Sequence, residues 1–127
     1  MALLSTGQSS VITTVDHTYS HTIKLVRNDT LPEINLTLID ETTEDPIDLT
    51  NATSIVLKFR EENSSTVKTT IPMYTVAPAT SGAVYMQWPV GALDTAGIFT
   101  GEIEITYSSG GIQTVFSELK FEVREDY

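Results

Sequence analysis

The side chains that invite chemistry in this sequence are two histidines, a run of carboxylates and three aromatic rings. His17 and His21 are spaced H-x-x-x-H. On a helix that spacing offers two ligands to one metal ion, but no helical pattern surrounds them. A strand would set both on one face roughly 13 Å apart, too far to share an ion. The acidic tract Asp40, Glu41, Glu44, Asp45 and Asp48 supplies clustered oxygens of the kind Ca²⁺ takes. It lacks the regular ligand spacing of a calcium loop and reads as a solvated loop. Glu102 and Glu104 lie two apart, and on an exposed strand face such carboxylates keep ordinary pKa values and make poor acids at neutral pH. No serine sits in a nucleophile elbow, and with no cysteine there is no thiolate, disulfide or thiolate metal site. Trp88, Tyr85 and Tyr107 could form a platform for a sugar. Trp88 shares a face with Val84 and Met86, however, which points to the core. The reading is of no catalytic residue, no metal ligand and no cofactor.

The formal net charge of −10 and a pI near 4.3 describe a surface that repels phosphate backbones. Direct nucleic-acid binding is not expected. The N-terminus "MALLSTGQSSVITT" lacks the basic segment and apolar run of a secretion signal. No stretch approaches the ~20 apolar residues that cross a bilayer. The expectation is a chain made in the cytoplasm, with no membrane partner. All four asparagines, Asn28, Asn35, Asn51 and Asn63, open an N-x-S/T triplet, which in so Thr-rich a chain follows from composition.

The elements that must position these residues are strands. Thr, Val and Ile are abundant, turn signals recur at short intervals, and no segment sustains a helical period. A chain of 127 residues is one ordinary domain with enough length to bury a core. Residues 1–17 show no clear period and read as an N-terminal arm, with residues 18–127 as the β-sandwich domain. Leu3, Leu4, Val11, Ile12 and Val15 are the arm's candidate contacts with a neighbouring subunit.

From Tyr19 the pattern tightens. "YSHTIKLVR" is a first strand. "EINLTLID" sets Ile34, Leu36 and Leu38 on one face, and "TSIVLKFRE" turns Ile55, Leu57 and Phe59 inward. "TVKTTIPMYTV" is a weaker strand whose Pro72 places it at an edge or a bulge. After the compact corner "LDTAG", Phe99, Gly101, Ile103, Ile105 and Tyr107 share one face, with Thr100, Glu102, Glu104 and Thr106 on the other. That is an antiparallel strand wet on one side only. "SSGG" is a hairpin turn, and "IQTVFSELKFEVRE" returns as the last strand.

The ordered series resembles the N-terminal domain of phage baseplate upper proteins, with related immunoglobulin-like domains in other tailed-phage structural proteins. The matching features are "DTLP" at Asp29 to Pro32, "IDLTNAT" leading into an apolar strand, and G-x-V-x-x-x-W at Gly82, Val84 and Trp88. The "D-T-A-G-x-F" corner and "GEIEITY" before a glycine turn complete the series. Together they span residues 28–115. The resemblance implies an all-β, immunoglobulin-like antiparallel β-sandwich with an extended N-terminal arm. It also implies a non-enzymatic virion component that builds a tail or baseplate by protein–protein contact. Its partners would be other virion structural proteins and copies of itself, in a homo-oligomer within the particle.

Two departures stand out. Val115 follows Thr114 where the family often has proline, and the family continues into modules that link to receptor-binding proteins, whereas this chain stops at Tyr127. The stand-alone domain therefore fits a tail-assembly adaptor first and a capsid decoration protein second. A carbohydrate-binding module is the alternative of another class.

Overall fold

The computed structural model describes residues 10–14, 22–31, 33–40, 43–115 and 118–126. Their strands are β1 (Ser10–Thr14), β2 (Thr22–Val26), β3 (Ile34–Ile39), β4 (Ala52–Glu61) and β5 (Thr69–Pro72). After these come β6 (Tyr74–Thr75), β7 (Ala83–Met86), β8 (Gly97–Tyr107), β9 (Ile112–Thr114) and β10 (Leu119–Arg124), with one 3₁₀ turn at Ala79–Ser81. A smaller sheet has the order β1-β3-β7-β6. A larger one runs β2-β10-β8-β4-β5, and β9 pairs with β8 beside that path. In immunoglobulin lettering these are the A-B-E-D and A′-G-F-C-C′ sheets. The chain is an all-β, immunoglobulin-like sandwich.

Period-two patterning builds the interior. Ile34, Leu36 and Leu38 of β3, Ile55, Leu57 and Phe59 of β4, and Phe99, Ile103 and Ile105 of β8 are all buried. Leu119, Phe121 and Val123 of β10 are buried too, while Lys120, Glu122 and Arg124 alternate outward. Four rings bind the two layers. Phe59 stacks on Phe99 at 4.7 Å between centroids and meets Trp88 and Phe121 edge-on at 5.1 and 5.5 Å. Trp88 meets Phe121 at 5.3 Å. This cluster serves the central packing role that a disulfide and a strand-C tryptophan have in antibody domains. Gly101 lets it close: a Cβ there would fall 2.7 Å from Leu57 Cδ1 and 2.9 Å from Phe121 Cε2.

The central pairs are antiparallel, whereas the two N-terminal strands pair in parallel, β1 with β3 and β2 with β10. Within the stretch expected as an arm, Ser10–Thr14 forms β1 against β3. Leu3, Leu4, Val15, His17 and His21 lie outside the described residues.

Two expected strands are each divided. "TVKTTIPMYTV" becomes β5 in the larger sheet and β6 in the smaller, and the chain changes sheet at Met73. Pro72 has no N–H to continue the ladder, and the Met73 side chain is buried while its N–H bonds Ile55 O at 2.8 Å. β5 is an edge strand, the first of the two places that Pro72 allows. The final strand breaks between β9 and β10. Thr114 pairs with Glu104 and Leu119 with Gly101, so five residue steps face three. Val115, just after β9, is buried.

Candidate interaction surfaces

The outer faces of the two sheets differ in charge. On the larger sheet Lys24, Lys58, Arg60, Glu102, Glu104 and Lys120 alternate outward from the buried rows. Lys58 Nζ reaches Glu104 at 2.9 Å, Arg60 reaches Glu118 at 2.6 Å, and Lys120 reaches Glu62 at 3.1 Å. Partly exposed pairs of this kind contribute about 0–1 kcal/mol each and leave a solvated face. Thr100, expected among the wet residues, is buried instead. Its register partners are Arg60 and Lys120, whose long stems lie beside it.

The smaller sheet turns Asn35, Thr37, Ala83, Tyr85 and Tyr74 outward, without charge. Tyr74 and Tyr85 are register partners, with ring centroids 5.5 Å apart and planes inclined at 39°. They border a hollow of about 640 Å³ where the chain passes between sheets, also lined by Pro72, Gln87, Pro89 and Val90. Tyr74 is 53% exposed and Val90 93%. At the rim, Gln87 Nε2 donates to Glu33 Oε2 at 3.2 Å.

The platform of Trp88, Tyr85 and Tyr107 is not assembled. Trp88 is 2% exposed and belongs to the core, as its shared face with Val84 and Met86 predicts. Its indole N–H is buried with no hydrogen-bond partner. Tyr107 belongs to the other sheet, at the β8–β9 hairpin, where its hydroxyl donates to Gln113 Oε1 at 2.9 Å. Desolvation, and then the charge of Asp48, raise its pKa.

No family profile matches the sequence, and no curated protein matches it by sequence. Among solved structures, CopC from Methylosinus trichosporium OB3b shares 8% identity with a TM-score of 0.45, over 82% of this chain and 86% of that one. So distant a likeness transfers no function.

Among the described residues no three His, Cys, Asp or Glu side chains come together as a metal site. The acidic tract is organised by local bonds instead: Asp45 N–H to Thr43 Oγ1 at 3.3 Å, and Thr50 N–H and Oγ1–H to Asp48 Oδ1 at 2.9 and 2.5 Å. Those bonds from Thr50 hold the Asp48 carboxyl below its ordinary pKa. A thermal melt is expected to be the same in millimolar calcium and in chelator, and a rise in midpoint with calcium would place an ion in this loop.

The "LDTAG" corner ties three parts of the chain together. Lys68 Nζ lies 2.7 Å from Asp94 Oδ1, Arg27 Nε donates to Asp94 O at 2.8 Å, and Asn28 N–H donates to Leu93 O at 2.7 Å. Lys68 foremost, then the Thr95 hydroxyl, lower the Asp94 pKa. A depressed carboxylate stabilises the fold above its unfolded pKa, near 3.9, and that contribution is lost as pH falls through the folded value. Melting midpoints followed down through this acid range are expected to fall more steeply for the native chain than for Asp94→Asn. Parallel curves would remove the corner from the acid response.

Proposed function

We propose that this chain is a non-enzymatic structural component of a tailed-phage virion, an assembly or adaptor protein of the tail or baseplate. It acts by protein–protein contact within a homo-oligomer in the particle. The observation that carries the reading is where the motif series falls on the sandwich. "DTLP" leads towards β3, "IDLTNAT" leads into β4, and G-x-V-x-x-x-W runs along β7 to the core tryptophan. "D-T-A-G-x-F" turns the corner into β8 and opens it, and "GEIEITY" is the rest of that central strand. The last four of these motifs thus occupy positions that shape the sandwich, as an inherited domain would have it.

The contact side of the reading rests on β1. Val11 and Ile12, two of the candidate subunit contacts, lie on this edge strand, which pairs with β3 along one side only among the described residues. A strand edge is a template for β-addition by a neighbouring chain. Lysine on an edge strand opposes such pairing. Phage carrying Val11→Lys and Ile12→Lys together is expected to yield particles depleted of this chain and defective in tails, with heads still formed. Normal tails with the chain incorporated would remove β1 from assembly.

A further inference from the structure

We propose that the hollow beside the Tyr74–Tyr85 pair binds a neutral saccharide. It lies by β6, at the opposite edge of the smaller sheet from β1, so the proposal stands apart from the assembly reading. Its volume of about 640 Å³ is within the range of small-ligand sites, about 300–1,000 Å³.

Three observations define the ligand's chemistry. First, two phenol rings from neighbouring strands, 5.5 Å apart and inclined at 39°, form an angled aromatic wall rather than a core stack. Such faces receive the C–H side of a sugar ring, while the phenol hydroxyls remain available to its O–H groups. Second, the hollow is lined by the Gln87 amide, whose Nε2 donates to Glu33 outside it, and by the Thr30 hydroxyl. This is the small set of directional groups that orients a polyhydroxylated ligand. Third, no Lys, Arg or His among the described residues lines the hollow, and the chain carries a net charge of −10. Sulfated, phosphorylated or sialylated glycans are therefore disfavoured against neutral ones. A purely apolar occupant would take water from Gln87 and Thr30 and give them no partner in return.

The test is saturation-transfer NMR and calorimetry on the full chain with maltotriose, cellotriose and triacetylchitotriose, and with 3′-sialyllactose as the anionic control. At least one neutral trisaccharide is expected to bind with a Kd of about 1 mM or tighter. Tyr74→Ala and Gln87→Ala are each expected to weaken it about tenfold, the scale of one aromatic or hydrogen-bonding contact. Tyr74 and Gln87 are exposed, so the melting midpoint of these variants should stay near that of the native chain. Phage tails built with Tyr74→Ala should assemble normally, which separates this site from the β1 contact. The proposal is overturned if no neutral trisaccharide binds, if sialyllactose binds equally well, or if Tyr74→Ala leaves affinity unchanged. It is also overturned if the chain sediments as an oligomer that Tyr74→Ala converts to monomer, since a second copy would then cover the hollow.

Discussion

Replacing Phe59 by alanine should destabilise the protein by about 3–5 kcal/mol, the scale seen when a buried phenylalanine is truncated. Phe59 has no exposed surface, and it touches Phe99, Trp88 and Phe121 at once. Its removal empties the point where the four-ring cluster meets. The neighbours cannot all collapse into the space, because they come from β8, from β10 and from the segment after β7, each fixed by its own ladder or corner. A domain of this size has about 5–15 kcal/mol of total stability, so the loss is a large share of it. At about 4 °C for each kcal/mol, the midpoint should fall by about 12–20 °C in calorimetry. Phe59→Leu, which keeps much of the volume, should recover most of that fall. A Phe59→Ala midpoint within a few degrees of native would mean that the cluster is not the centre of the core.

Gly82→Ala should be costly for a different reason. Gly82 has φ of +69°, and a Cβ there would lie 2.5 Å from the carbonyl oxygen of Leu38, with Ile47 N and O at 3.2 and 3.3 Å. The obstruction is backbone, so no rotamer change relieves it. The same Leu38 oxygen accepts the Ile47 N–H at 2.8 Å, and the Leu38 N–H donates to Gly82 O at 2.9 Å. A methyl group must therefore part β3 from the segment that follows the acidic loop. The left-handed conformation costs an L-residue about 1–2 kcal/mol. With one strained or broken backbone hydrogen bond added, the total is about 3 kcal/mol. Gly110→Ala is the matched control. Its φ is +90°, yet an added Cβ meets nothing within 4 Å. It should lose only the conformational part, about 1–2 kcal/mol. Denaturant midpoints that fall equally for the two variants would contradict the close approach at Gly82.

The strongest strands were legible because their alternation is local. β3 and β8 carry their inward and outward residues in strict order, and the corner before β8 shows its glycine openly. Trp88 could be assigned to the core from the company of Val84 and Met86. Pro72 marked an edge or a bulge because an imino nitrogen cannot join a ladder.

What escaped was set by pairs distant in sequence. Nothing local to "SVITT" states that β1 will lie parallel to β3, and nothing in "TIKLV" states that β2 will join β10. Thr100 looks wet until Arg60 and Lys120 are known to flank it. Asp94 finds Lys68 26 positions away. The candidate saccharide site was hidden for the same reason. Tyr74 and Tyr85 meet only because the chain changes sheet at Met73 and so brings β6 beside β7. Sequence directed attention to Trp88, the ring that the core took, and passed over Tyr74, which it left exposed.

The central claim is that this sandwich is a fixed part of a virion tail. Immunogold labelling of intact particles, with antibodies raised against the purified chain, tests it most directly. Gold is expected at the tail or baseplate in a regular number per particle. Gold over the head surface would make the chain a decoration protein, and unlabelled particles with all of the chain left free in the lysate would contradict a structural role.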